Sequence, residues 1–455
     1  MAITGFDGLL IEPDNNEYES ARSVWNGDID RKPALVARCS TAADVAAVIR
    51  YARDGGLDLT VRGGGHSYAG HAIADGAVML DLSGMQGVSV DPATKRAIAA
   101  GGATWADLDG ATAQHALAVT GGFISHTGVG GLTLGGGMGW LTRKCGLSCD
   151  NLTAAEVVTA DGRILRASDD ENGDLFWALR GGGGNFGVVT SFEFRLYDHN
   201  PLANLGMFFW TPEHGAEALR FAREFVKALP DGMGALIAGL SAPPMPFVPE
   251  QYHFTPGFAL AIGGWGSAED HARVVAPIRD AVEPAWELVT PIPYTELQKM
   301  FNESAPWGLL AYEKALYLQN LDDAVVDSFV AAMPKVTSPM TFCPVFPLDG
   351  AFHDTPEDAT AFGGGRDAGW VFNMSAGAMA PDVLDVERTW VRALWDELRP
   401  NARDSGGYVN FLADADEERV RASYGAKKYD RLAQIKREYD PDNLFSHNAN
   451  IKPAP

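Results

Sequence analysis

The sequence predicts an α+β protein of two domains, on three observations: its length, a glycine-dense early part with short strands, and a later run of amphipathic helices alternating with strands. At 455 residues the chain exceeds what one hydrophobic core usually serves. Lys and Arg number 36 against 59 Asp and Glu, a formal charge of -23 that disfavours nucleic acid and anionic membranes as partners, since phosphate neutralisation needs clustered cations. No apolar run reaches the ~18 residues of a membrane span, and Met1 to Pro13 lacks a basic segment followed by an apolar one, so a cytoplasmic protein without a signal peptide is expected. The four cysteines are Cys39, Cys145, Cys149 and Cys343. Cys145 and Cys149 have no matching Cys or His pair, so no metal site is expected and the thiols are read as reduced.

The elements follow in order. Ala34 to Arg38 is extended, and Thr41 with Asp44 three residues on forms a capping box. Val45, Val48, Ile49 and Ala52 make the apolar face of the helix it opens, which Gly55-Gly56 ends. Leu57, Leu59 and Val61 alternate as a strand running into Arg62-Gly63-Gly64-Gly65-His66-Ser67. Strands around Glu156 to Thr159 and Ile164 to Ala167 are joined by an Asp161-Gly162 turn. Val188 to Leu196 is a strand with Phe192, Phe194 and Leu196 on one face. Near Asn200 the texture changes: helices are expected at Glu217 to Leu229, Ala268 to Val282, Asp322 to Met333 and Val383 to Leu398. Strands such as Phe258 to Trp265 and Trp370 to Gly377 lie between them. Tyr408-Val409-Asn410-Phe411 reads as a strand, Glu417 to Tyr439 as a helix, and Asp440-Pro441-Asp442-Asn443 as a turn.

Three glycine clusters carry the chemical signal. In the first, three residues without a Cβ let backbone amides approach an anion, and the imidazole of His66 follows at once. A glycine-rich turn with a solvated histidine is the plainer reading of that segment alone. The second cluster runs from Gly128 to Gly139 and the third from Gly181 to Gly187. The third matches G-x-G-x-x-G at Gly182, Gly184 and Gly187, yet a helical stretch precedes it and a strand follows. That is the reverse of the nicotinamide-binding order. Three such loops instead suit a long groove for an extended dinucleotide.

These residues resemble the FAD-linked oxidases of the vanillyl-alcohol-oxidase and p-cresol-methylhydroxylase fold, in the berberine-bridge-enzyme-like branch. The resemblance runs from about Trp25 to Lys452. It rests on Arg62 to Ser67, Val78-Met79-Leu80-Asp81-Leu82-Ser83, Ser125-His126-Thr127-Gly128 into Gly135-Gly136-Gly137, Leu179-Arg180-Gly181 to Phe186-Gly187, Tyr408 to Phe411, and Asp440 to Phe445 with Asn448. It implies two α+β subdomains holding FAD over residues 1–198, completed by 405–455, and a substrate domain of antiparallel sheet covered by helices over 199–404. His66 matches the histidine that attaches to the flavin 8α-methyl. A second, cysteinyl link is not expected, because the matching position holds Ile124. The other residues implied to hold FAD are Arg62, Gly63, Gly64, Gly65, Ser67, Thr127, Gly128, Gly130, Gly131, Leu134, Gly135, Gly139, Val189, Tyr408, Asn410 and Asn448.

The implied activity is removal of hydride from a carbon bearing oxygen or nitrogen in a sugar, alcohol, amine or natural-product intermediate. Oxygen would reoxidise the flavin to give hydrogen peroxide; a dehydrogenase with another acceptor and a non-catalytic flavin module are the alternatives. On a strand Tyr408 and Asn410 share a face, and the resemblance sets that strand beside the flavin. Phe411 stands where some plant relatives carry a tyrosine base, and it has no proton to trade. His126 is a candidate base or polariser, or else a structural histidine. Tyr68 is a candidate for orienting substrate, and the hydroxyl-bearing Thr127 leaves room for oxygen. Trp265, Tyr294, Trp307, Tyr312, Trp370 and Asn373 are candidates for the substrate roof.

Overall fold

The computed structural model describes residues 2–403, 406–414 and 416–455, so the expected boundary between 404 and 405 falls outside the described residues. A small mixed sheet comes first, ordered β1-β2-β4-β3: β1 (Leu9–Ile11), β2 (Leu35–Arg38), β3 (Leu59–Arg62) and β4 (Val78–Asp81). β4 runs parallel to both β2 and β3, and the helix Ala42–Asp54 makes the crossover. The capping box is present: Thr41 Oγ1 accepts from the Asp44 amide, and Asp44 accepts from the Thr41 amide. Leu57 lies before β3 and is partly exposed, because pairing with β4 starts only at Leu59.

A five-stranded antiparallel sheet follows in the order β5-β6-β10-β8-β9. It comprises β5 (Val88–Asp91), β6 (Arg96–Ala100), β8 (Leu152–Val158), β9 (Ile164–Ser168) and β10 (Val188–Arg195). β7 (Leu117–Ala118) and β11 (Tyr197–Asp198) form a separate two-stranded ribbon. Phe192 and Phe194 of β10 enter a core that also takes Trp105, Phe176, Phe186 and the C-terminal helix residues Leu432 and Ile435. The C-terminal segment is thereby packed onto the glycine-rich part of the chain.

The third sheet is antiparallel and seven-stranded, in the order β15-β12-β14-β13-β17-β18-β16. Its strands are β12 (Leu202–Trp210), β13 (Gly234–Ser241), β14 (Pro256–Gly264), β15 (Trp286–Pro293), β16 (Leu310–Leu318), β17 (Phe342–Pro347) and β18 (Trp370–Ala378). Period-two alternation sorts its faces. Tyr312, Leu316 and Leu318 of β16, with Trp370, Phe372 and Met374 of β18, pack under the helices Pro212–Lys227, Asp323–Ala332 and Pro381–Leu398. Ala315, Tyr317 and Val371 face the other way, toward Met138, Trp140 and Tyr408. The sheet is therefore covered by helices on one face and by the glycine loops on the other.

Three expected elements differ. Tyr408 to Phe411 is no strand: Tyr408 is extended and Val409–Phe411 is a single tight turn closed by the Phe411 amide on the Tyr408 carbonyl at 2.8 Å. Among the described residues no strand pairs with it, so the alternation argument for a shared face does not apply. The helix expected from Ala268 to Val282 is two, Ala268–Val275 and Pro277–Ala281, since Pro277 has no amide to donate. Glu417–Tyr439 is helical at both ends but interrupted at Gly425, whose φ of 69° and ψ of 159° no helix accommodates. Among the described residues, no helix is long and apolar enough to cross a membrane.

Candidate functional site

β3 ends at Arg62, and the following glycines turn the chain across the mouth of the glycine-rich half. Gly64 and Gly128 approach backbone to backbone: a Cβ on Gly64 would stand 2.2 Å from the Gly128 nitrogen, and one on Gly128 2.4 Å from the Gly64 nitrogen. No side chain fits there. Among the described residues, no acceptor takes the amides of Gly63, Gly64, Gly65, His66 or Ser67, and Gly65 has φ of 70°. A row of free donors on a glycine turn is an anion cradle. Arg62 adds a cation to it: one guanidinium nitrogen donates to the Ala21 carbonyl at 2.6 Å, while Nε is buried without a partner.

The second cluster closes on the first and on the third. Val129 donates to Ala103, Trp105 donates to the Thr127 carbonyl, and Thr127 donates to Ile124 at 3.2 Å. The Leu134 carbonyl accepts from both Gly181 and Gly183, at 3.0 and 2.9 Å. Gly130 is buried over Phe192 and the Gly101 carbonyl, and Gly101 in turn packs against the Val189 carbonyl. Gly131 is exposed. Gly139 stands apart: its amide donates to Thr142 Oγ1 at 2.9 Å and its α-carbon is pressed on the Gly121 carbonyl, which commits it to packing. On the far side Asn448 donates to the carbonyls of Gly184 and Phe445, while its Oδ1 and that of Asn450 are buried and unpartnered. Unpartnered amides at one end, orphaned carboxamide oxygens at the other and glycines between fit an extended dinucleotide.

His66 sits at the junction of this groove with the large sheet. Its ring is stacked on Trp25 at 5.0 Å and 18°, with Trp307 edge-on at 5.9 Å. Trp25 is fixed by its own amide on the Gly65 carbonyl at 3.0 Å and its indole N–H on the Ala305 carbonyl at 2.8 Å. His66 Nε2 lies 2.7 Å from His126 Nδ1. Burial, and then the neighbouring imidazole, push the His66 pKa down to about 3, so its ring is neutral. Burial lowers His126 too, partly offset by the neighbouring backbone of Asn302 and Ala305. A reciprocal pair between Asn302 and Ser125, at 3.0 and 2.9 Å, holds that loop in place.

Tyr68 reaches the sheet, its hydroxyl 3.1 Å from Ser375 Oγ. Asn26 ties the same segment to β16, donating to the carbonyls of Tyr68 and Ala311 at 2.8 and 2.9 Å. Ser67 accepts from the His71 amide at 3.3 Å. Tyr408 and Asn410 form a separate group around Gly135 and Gly137. The Tyr408 hydroxyl accepts from the Gly137 amide at 2.6 Å and from Asn410 Nδ2 at 2.8 Å, and Asn410 Nδ2 also reaches the Leu132 carbonyl at 2.9 Å. Burial raises the Tyr408 phenol far above its ordinary value. Of the roof candidates, Asn373 and Trp307 face the glycine loops, Tyr312 and Trp370 lie under the helices, and Trp265 and Tyr294 close around His199.

Sequence reasoning missed four groups here. Trp25 and Ser375 carry no local signal. Glu313 does carry one, an acid on the same strand face as Ala311 and Ala315. Lys436, fully buried and bonded to Asp440 at 2.6 Å, the Asn185 carbonyl at 2.7 Å and the Phe445 carbonyl at 3.0 Å, pins the Asn448 turn to the third glycine cluster.

Comparison with known proteins follows the same lines. An FAD binding domain model matches residues 33–168, and a model described as berberine and berberine like matches 407–452. The (R)-6-hydroxynicotine oxidase of Paenarthrobacter nicotinovorans is 32% identical over 456 residues, covering 98% of this chain and 97% of that protein. The crystal structure of 6-hydroxy-D-nicotine oxidase from Arthrobacter nicotinovorans superposes with a TM-score of 0.87 at 30% identity, covering 99% and 98%. A chitooligosaccharide oxidase structure shares the fold at TM-score 0.85 and 23% identity, covering 98% of both chains.

Proposed function

The chain belongs to the berberine-bridge-like family of FAD-linked oxidoreductases, and from that premise we propose an oxidase that takes hydride from a C–H bond beside oxygen or nitrogen of a small molecule. FAD is its cofactor. When bound it supplies the hydride acceptor and, with molecular oxygen as the terminal acceptor, the route to hydrogen peroxide. The single observation that carries the reading is the His66–His126 contact at 2.7 Å, at the end of a glycine cradle.

Its chemistry follows from tautomers. We assign His126 the tautomer in which Nδ1 carries the lone pair, in keeping with the influence of the Asn302 and Ala305 backbone on that ring. His66 Nε2 then donates to it, and His66 Nδ1 is left bare, neutral and nucleophilic. His126 can take the Nε2 proton as positive charge develops on His66 during attachment, much as a general base serves a catalytic nucleophile. Trp25 stacks on the His66 ring and Trp307 meets it edge-on, which fixes its orientation. The amides of residues 63–67 and Arg62 would hold the diphosphate, and Asn448 the far end of the dinucleotide. Tyr408 and Asn410 bind each other and the backbone of Leu132 and Gly137, an anchoring role at the edge of the site.

The domain division, 1–198 with 405–455 against 199–404, is proposed on the separation of the two smaller sheets from the seven-stranded one. Four buried free cysteines support a reducing compartment such as the cytoplasm. The test of function is oxygen consumption with peroxide release across amines, alcohols and sugars. Stoichiometric peroxide with one class supports an oxidase. Anaerobic bleaching of the flavin by a compound that drives no oxygen uptake contradicts it.

A further inference from the structure

We propose that the groove between the helix Trp105–Ala113 and the turn after Tyr294–Leu297 binds a small planar organic cation, an amidinium or guanidinium, whose N–H groups are taken by Asp109 and Gln298. None of these residues is assigned to FAD above, and the site does not rest on the oxidase reading.

The groove forms where the two halves of the chain meet. The helix Trp105–Ala113 follows β6, and Tyr294–Leu297 follows β15 of the seven-stranded sheet. Asp109 and Gln298 join them: Gln298 Nε2 donates to Asp109 Oδ2 at 2.9 Å and to the Gly122 carbonyl at 3.2 Å. The space beside this bond measures about 410 Å³, within the ~300–1,000 Å³ of small-molecule sites. Ala106, Gly110 and Ala113 make its helical wall, and spacings of four and three set them on one face. A Cβ on Gly110 would meet no atom within 4 Å, so the wall is flat and open there. A glycine inside a helix costs stability against alanine, and no close contact in this fold requires one at this position.

The floor is polar and incompletely bonded. Asp109 and Gln298 are 2% and 1% exposed, and both line the groove. Asp109 Oδ1 and Gln298 Oε1 have no partner among the described residues. Both are acceptors on side chains already bonded to each other, and two such buried groups are costly unless something supplies donors. Burial pushes the Asp109 carboxyl up to about 7, and no cation acts on it. Lys299 at the rim is taken by Glu296 at 2.9 Å.

A molecule that fits brings donors, positive charge and a flat face. An amidinium or guanidinium has forked N–H groups and no lone pair to leave unmet, so one plane serves two oxygens on different side chains. A hydroxyl or carboxamide brings acceptors for which this floor has few donors. An anion would meet Asp109 in a chain whose formal charge is -23.

The test is calorimetric titration of the FAD-loaded protein with benzamidine and with its neutral counterpart benzamide. Benzamidine is expected to bind at least about tenfold tighter than benzamide. Asp109→Asn keeps the shape and loses the charge, and is expected to weaken benzamidine about tenfold while leaving benzamide within about twofold. Gly110→Met fills the groove from the helical wall and is expected to abolish benzamidine binding, to melt no lower than wild type and to hold FAD as wild type does. Equal binding of benzamidine and benzamide by the wild type, or no binding of benzamidine at millimolar concentration, overturns the proposal whether or not the variants fold. Benzamidine binding within about twofold of wild type in Gly110→Met overturns it too, since the cation then lies elsewhere, and the oxidase reading stands.

Discussion

His66 Nε2 and His126 Nδ1 meet at 2.7 Å across 60 residues of chain, and the contact decides which nitrogen of His66 is free to react. With the tautomer assigned above, His66 Nε2 donates and His126 Nδ1 accepts. His126→Ala removes the acceptor without touching the nucleophile. Covalent flavin incorporation is expected to slow by about 10²-fold or more, the usual worth of a positioned base. A time course of flavin fluorescence on the denatured polypeptide reads it, and His126→Gln, which keeps an acceptor but not a base, should restore orientation and little rate.

Gly64→Ala places a methyl 2.2 Å from the Gly128 nitrogen, backbone against backbone, where nothing flexible can yield. The expected cost is about 1–3 kcal/mol from overpacking, together with loss of FAD retention on gel filtration. Gly87→Ala is the control: like Gly64 it has no positive φ, and no atom lies within 4 Å of the added Cβ.

Tyr408→Phe separates anchoring from catalysis. It strips the acceptor from the buried Gly137 amide, a loss of about 1–3 kcal/mol measurable by urea unfolding. An anchoring tyrosine predicts a lower melting temperature with the same pH profile of kcat. A change in that profile at unchanged stability would make Tyr408 a proton carrier.

Glu313 also has a signature in stability. Its carboxyl is raised in the folded state, so the folded protein binds more protons than the unfolded chain once pH exceeds the ordinary glutamate value. Stability is therefore fully present below about pH 4.5 and is lost as pH rises through the folded value. Glu313→Gln has no charge to bury. The variant is expected to melt higher than wild type at pH 8 and equally at pH 4.5, and the opposite order would mean that a cation compensates Glu313.

Much of this architecture was legible because its signals are local. The capping box at Thr41 and Asp44, the reversed order around Gly182 to Gly187 and the glycine turn before His66 all occupy short windows. Tyr408 to Phe411 misled because a β-like composition says nothing about whether a partner strand exists, and among the described residues none pairs with it. The pair was half legible: His126 stood out, but its contact with His66 spans 60 residues that no local pattern connects. Lys436 carries no local signal of burial, because its partners Asp440 and the Asn185 carbonyl are brought around it only by the fold. Which face of β18 meets the glycine loops depended on strand pairing, which alternation alone leaves open.

The account turns on His66 as the single covalent anchor of FAD, with Ile124 where a second link would need a cysteine. The direct measurement is flavin fluorescence on the acid-precipitated, denatured polypeptide of wild type and His66→Ala. Fluorescence that stays with wild type and leaves entirely with His66→Ala is the predicted result. Colour released into the supernatant from wild type, or retained on His66→Ala, would contradict it.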